Sequence, residues 1–391
     1  MIQSPYITVA VLVSIEISIL YFSQHDRFKR YFNFLPAVFW IYFLPMLVST
    51  AGLIDTKDPV LSAITANLLP AALVLLLIPV DIKAILRLGP QALVMFFAGS
   101  LGIILGAPLV FFVFKGWLGG QFWSGFGALA ASWTGGSANM VAVREALGTP
   151  DEVYLPMVVV DTIVPYLWMG ALLAMARLQP AFDHWNGCSK DLLERLSKNT
   201  QTAAPPQEKK KLNILTGTTA LVLLVAAGGS LVSQCAAKIL PEVREVFSAS
   251  AWTIIIASCI GIGLSFTPVK KIESCGSSKV GYFLLYFVLT SIGAKANLSA
   301  MTKVPVLIPA GLAIVVIHAG FILAAARITK APLFLAAAAS QANIGGVASA
   351  PVVAEAYQPH LASVGLLLAV LGNIVGTYMG ILAGQLCRML N

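Results

Sequence analysis

The chain has 391 residues, of which 58% are hydrophobic and only 11% charged, and its mean hydropathy is +0.86. Soluble domains carry about 25% charged residues, so this composition excludes a soluble fold and describes a polytopic membrane protein. The formal charge of +8 would suggest nucleic acid in a soluble protein, but here the basic residues sit in short loops between apolar runs, where membrane topology accounts for them. The cysteines (Cys188, Cys235, Cys259, Cys275 and Cys387) form no CxxC pair, so neither a disulfide framework nor a zinc site is implied.

A bilayer core about 30 Å thick needs about 20 apolar residues of helix. The first candidate segment, near 6–22, has no basic residue before it and is followed by HDRFKR, the reverse of a cleavable signal, so it reads as a retained helix with an external N-terminus. Further segments follow near 34–54, 59–80, 92–114, 122–147 and 152–176. The polar stretch 177–211 comes next, and its KDLLERLSKN suggests a short amphipathic surface helix. A second set then falls near 213–237, 250–266, 280–293, 304–326, 332–357 and 361–387, with 280–293 the weakest on length.

The two sets resemble each other. GALAASWTGGSANMVAVREA recurs loosely as LAAAASQANIGGVASAPVVAEA, and YLWMGALLAM as GTYMGILAGQ, at a displacement of about 210 residues. Ser132 thus matches Ser340, and Glu145 matches Glu355. The expected organisation is a first repeat over 1–176, a cytoplasmic linker over 177–211 and a second repeat over 212–391.

Basic residues choose between topologies. If every segment crosses, more Lys and Arg fall outside than inside, against the positive-inside rule. If the two Gly-Gly segments instead dip in and return, one side collects Arg27, Lys83, Arg87, the 177–211 stretch, Lys270 and Arg327, and the rule holds. Each half then has an odd number of crossings, so the repeats are inverted, each with five crossings and one re-entrant or broken Gly-Gly hairpin. Both termini are placed outside.

Non-helical backbone at membrane depth is tolerated only where it lines a cavity or binds something. Gly135-Gly136 and Gly345-Gly346 permit positive φ and close backbone approach, so each pair can form the tip of a hairpin of two half-helices. Half-helix starts favour an anionic group, and free carbonyls favour a cation. Ser132, Thr134, Ser137 and Asn139 surround one tip, and Ser340, Gln341, Asn343 and Ser349 the other. These neutral hydroxyls and amides suit a small polar solute; the plainer reading is close helix packing by small residues. Gly228-Gly229, which has no counterpart, is assigned to packing.

Ionisable residues within the membrane are few. Asp161 lies about 15 Å into its segment and Asn373 at a similar depth in the last one, so the pair offers a coupling-ion site for Na⁺ or H⁺; a structural role for Asp161 stays open. Glu16, Arg144, Glu145 and Glu355 are weaker candidates, Lys295 is expected to snorkel, and His318, alone in its segment, reads as packed. No HExxH, histidine cluster or GxxxxGK[ST] is present, which argues against a membrane enzyme or an ATP-driven pump and for no cofactor. The leading expectation is a cation-coupled secondary transporter of a small anionic or zwitterionic metabolite such as an amino acid, short peptide or carboxylate. The alternative is a monovalent cation/proton antiporter working through Asp161 without an organic substrate. The absence of a transit-peptide pattern favours a bacterial inner membrane.

The whole layout, and TGGSAN most specifically, resembles the YjcL-like family of integral membrane proteins, a domain of unknown function. More distantly it is similar to the sodium/glutamate symporters and citrate carriers, and in plan to the bile-acid and cation/proton antiporter folds. That resemblance implies an elevator mechanism and a dimeric scaffold. Only Gly135, Gly136, Gly345 and Gly346 carry over from those symporters. The glycine that usually follows one residue after each pair is absent, with Ser137-Ala138 and Val347-Ala348 in its place.

Overall fold

The computed structural model describes residues 4–28, 31–32, 37–188, 217–241, 248–295, 302–359 and 361–391. The described residues form helices joined by short turns. In the first half these are α1 (Pro5–Gln24), α2 (Ala37–Thr50), α3 (Pro59–Leu77), the short α4 (Ile82–Leu86), α5 (Pro90–Leu118), the pair α6 (Phe122–Gly135) and α7 (Ser137–Ala146), and α8 (Asp151–Met175). One 3₁₀ turn leads from α8 to α9 (Gln179–Asn186). The second half repeats the order with α10 (Gly217–Ile239), α11 (Ala249–Ser265), α12 (Ser277–Lys295), α13 (Val304–Thr329), the pair α14 (Leu333–Ile344) and α15 (Gly346–Tyr357), and α16 (Ala362–Met389).

Local chemistry sets the boundaries. Asp58 caps α3 by accepting from the Val60 amide at 3.0 Å, and Pro59 supplies a pre-set φ at the first position. Pro90 starts α5 in the same way, and Gly119 at φ 96° ends it. Among the described residues seven helices are long and apolar enough to cross a membrane, and an eighth candidate, α11 with the 3₁₀ segment Pro268–Cys275, bends by 96°. The chain is therefore an all-α polytopic membrane protein. The weak segment near 280–293 is a full helix, α12, and its second half is buried from Phe287 to Ala294 by neighbouring helices, which lets it carry a less apolar sequence. The proposed surface helix in KDLLERLSKN lies outside the described residues, as does most of the 177–211 linker, although its opening residues are helical as α9.

Contacts divide the chain into two compact units that cut across the sequence halves. The first comprises Met1–Val80, Gly148–Thr162 and Lys210–Val304; the second comprises Asp81–Leu147, Ile163–Lys209 and Pro305–Asn391. Each unit takes corresponding elements from both halves: α1, α2 and α3 with α10, α11 and α12 in the first, and α5, α6–α7 and part of α8 with α13, α14–α15 and α16 in the second. In the first unit α3 is central. Val74, Leu75 and Ile78 form a cluster with Val222, Ala226 and Ala257. Gly229 presses on Val74, Gly261 on Val74 and Leu77, and Gly281 on Leu75 and Leu76. Small residues at such crossings let membrane helices approach closely. Helix α10 runs unbroken through Gly228-Gly229, as the packing assignment expects.

Candidate functional site

The second unit contains both glycine pairs, and each breaks a helix. At the first, Gly136 adopts φ 82° and ψ 177°, and the chain reverses. Leu147, just past α7, reaches back to Gly127 near the start of α6, its Cδ1 2.8 Å from where a Cβ on Gly127 would stand. Twenty residues of continuous helix would separate these positions by about 30 Å, so α6 and α7 form a hairpin. At the second, Ser340 accepts a hydrogen bond from Trp168 Nε1 at 2.8 Å, while the Tyr357 hydroxyl donates to the Leu172 carbonyl at 2.6 Å. Trp168 and Leu172 are one turn apart on α8, whereas an unbroken helix would place residues 340 and 357 about 25 Å apart. Helices α14 and α15 are therefore also a hairpin.

The two pairs divide their tasks alike. The second glycine of each supplies positive φ, 82° at Gly136 and 64° at Gly346, with nothing tight around it. The first has no room for a side chain. A Cβ on Gly135 would collide with Asn139 Nδ2, the Gly372 carbonyl and Gly376 Cα, and one on Gly345 with Gln341 Nε2 and Ser349 Oγ.

Helix α16 gathers the tips. Hairpin 1 (α6–α7) lies antiparallel along it, with Gly127 against Gly384, Ala131 against Gly380, and Gly135 against Gly372 and Gly376. At the tip Asn139 donates to the Gly135 carbonyl at 2.6 Å and to the Asn373 carbonyl at 3.4 Å, and it accepts from Thr377 Oγ1 at 2.5 Å. The Asn373 amide oxygen lies 3.7 Å from the Cβ position of Gly136. Hairpin 2 (α14–α15) meets the other end of α16, with Ala350 and Ala354 on Gly365. One further turn of α15 brings Gly346 to within about a turn of the level of Asn373. Both tips thus approach the middle of α16 from opposite ends.

Neither α7 nor α15 has a side-chain cap, so their first amides precede any intrahelical acceptor at half-exposed tips. No charged residue occurs within 132–139 or 340–349. Gln341 is fully buried and donates to Ser349 Oγ at 2.8 Å, leaving its Oε1 with no partner among the described residues. Asn343, also fully buried, donates to Ser100 Oγ at 3.0 Å, and its Oδ1 is likewise unpartnered.

Other predicted residues have structural engagements. The Thr134 hydroxyl bonds back to the Ala130 carbonyl at 2.9 Å, and the Ser132 carbonyl accepts from the Gly136 amide at 2.6 Å. Ser137 is half-buried at the tip. Ser340 belongs to a directed chain. His318 Nδ1 is 2.9 Å from the Gly99 carbonyl, which can only accept, so Nδ1 carries the proton and Nε2 accepts. The Ser340 hydroxyl then donates to Nε2 at 2.9 Å while accepting from Trp168. His318 is packed, as its isolation in sequence suggests, and it ties α5, α8 and α13 to hairpin 2. Asp183 of α9 completes the fastening by accepting from the Leu333 amide at 2.8 Å.

Asp161 is half-buried on α8, in the portion grouped with the first unit. Arg144 is buried and pairs with Glu145 at 3.4 Å, Glu355 is exposed, and Lys295 reaches Ser62 Oγ at 2.8 Å. Sequence reasoning missed Gly372, Gly376 and Thr377. Their signal was legible as GNIVGTYMGILAG, four glycines at intervals of four, the spacing of a close-packing helix face.

These features define a class: a multi-pass helical membrane protein whose two broken helices fold into opposed hairpins on one long helix. The chain belongs to the family described as "Protein of unknown function (DUF819)", which matches residues 10–390. It is 24% identical over 348 residues to the "Uncharacterized membrane protein YjcL" of Bacillus subtilis (strain 168), a match covering 86% of each chain.

Proposed function

We propose that this protein is a secondary transporter in a bacterial inner membrane, driven by Na⁺ or H⁺, for a small anionic or zwitterionic metabolite. One observation carries the reading: two hairpin tips with uncapped helix starts converge on the middle of α16 around Asn373. Breaking two apolar helices at that depth exposes backbone groups, which is costly without something to bind them. The uncapped amides suit a carboxylate. Amide oxygens, the unpartnered Gln341 Oε1 among them, suit an ammonium or the driving cation. In this reading the second unit is the carrier and the first the scaffold, as an elevator requires, with inverted repeats supplying the two hairpins. A homodimer of scaffolds is part of the same proposal.

The test is current or uptake by purified protein in liposomes, challenged with amino acids, short peptides and di- or tricarboxylates, with and without a Na⁺ gradient. A solute-specific signal that is lost in Gly135→Leu and uncoupled in Asp161→Asn supports the proposal. Full uptake by Gly135→Leu refutes the hairpin site, and responses to ion or pH jumps alone favour the antiporter reading.

A further inference from the structure

In the first unit, α1 presents a single inward face formed by Thr8, Leu12, Glu16 and Ile19, spaced at helical intervals. Thr8 is anchored by donating to Asp58 Oδ2 at 3.1 Å. Much of the remaining surface of α1 is apolar and exposed, including Ile7, Ile17 and Tyr21. Glu16 sits near the helix midpoint with 0% exposure, and neither carboxyl oxygen has a hydrogen-bond partner among the described residues.

The described helices packed on α1 carry few groups that could compensate a negative charge there. Helices α2, α3 and α12 pack on α1. On α2 the only titratable group is Tyr42, and α3 has none. On α12 they are Lys279, Tyr282, Tyr286 and Lys295. Tyr286 stands at the middle of α12. The lysines lie at the two ends of α12, about 10 and 14 Å along the axis from Tyr286, and Lys295 is bonded to Ser62.

A buried carboxylate without a partner takes up a proton rather than bear the desolvation of its charge. Keeping a glutamic acid neutral at pH 7 demands only about a 500-fold displacement from its ordinary ionisation equilibrium. Desolvating an unpaired ion weighs more than that. We propose that Glu16 is a proton-binding site, a neutral carboxylic acid at the centre of α1 that holds one proton per chain and exchanges it only when α1 separates from α12. This site stands apart from the hairpins and does not rest on the transport reading.

The experiment is infrared spectroscopy of the full-length protein in detergent at pH 7, with and without glutamate ¹³C-labelled at the side-chain carboxyl. Expected is a protonated-carboxyl C=O band that shifts with the label and is absent from Glu16→Gln. Its exchange into D₂O should be at least about tenfold slower than that of exposed amides. Absence of any glutamic-acid band from the wild-type protein at pH 7 overturns the proposal without reference to a variant. A band that persists in a folded Glu16→Gln protein overturns it as well.

Discussion

Gly376→Ala tests the seam that positions hairpin 1. A Cβ at residue 376 would stand 2.7 Å from Gly135 Cα and 2.9 Å from both Gly135 N and Asn139 Cγ. Two of these atoms are backbone, so no rotamer change relieves the contact, and the tip must lift by about 1 Å to restore ordinary carbon separations. Overpacking of this kind costs about 1–3 kcal/mol. The same shift strains the Asn139 bonds to the Asn373 carbonyl and Thr377, each contributing about 0.5–1.5 kcal/mol. The sum, roughly 2–6 kcal/mol, falls on the tip rather than on the whole fold. The control is Gly320→Ala on α13, where a Cβ meets nothing within 4 Å and helix propensity alone favours alanine by about 1 kcal/mol. Thermal unfolding in detergent, with hydrogen exchange read at residues 134–140, should show Gly376→Ala less stable and faster-exchanging at the tip and Gly320→Ala at or above wild type. Indistinguishable behaviour of the two variants would refute the close-packing argument.

Three further outcomes follow from individual contacts. Gly136→Ala should cost about 1–3 kcal/mol through backbone conformation alone, since φ 82° with ψ 177° is a region essentially only glycine occupies and its nearest neighbour is 3.7 Å away; a variant melting with wild type would show that the tip is not held in that conformation. His318→Leu keeps the volume but removes the side-chain partner of the Gly99 carbonyl, which keeps its helical bond, and leaves the Ser340 hydroxyl proton without its acceptor, at about 1–3 kcal/mol for the buried unpaired donor. Trp168 fluorescence should shift with it, because that indole donates to Ser340, and an unchanged spectrum and melting temperature would count against the chain of bonds. Asp183→Ala removes the acceptor for the first amide of α14, a loss of about 1 kcal/mol, to be seen as faster exchange at residues 333–336 with the rest of the protein unaffected.

What could be read from the sequence, and what could not, follows from the range of the forces involved. Helix limits and glycine breaks are local. The apolar runs fixed the segments to within a few residues, the breaks fell at Gly135-Gly136 and Gly345-Gly346, and Gly228-Gly229 passed without one. The assembly of helices was less accessible, since α3 and α12 lie more than 200 residues apart in the chain, and apolar faces alone do not name their partners. So the interleaved compact units were not legible in the sequence. Polar side chains were the hardest to read. Ser340 and Ser349 look equivalent in sequence, yet one hydroxyl is drawn into the His318 chain and the other to Gln341. The difference arises from α5, α8 and α13 arriving on one side of α14, a tertiary event with no local trace. It also explains how the hairpins are held. Hairpin 1 lies on a glycine face of α16 and is fixed largely by shape, whereas hairpin 2 is fixed by hydrogen bonds with Ser100, Trp168, His318 and Asp183. Two hairpins that match in sequence therefore answer to different perturbations: added volume on α16 for the first, and loss of a donor or acceptor around α14 for the second.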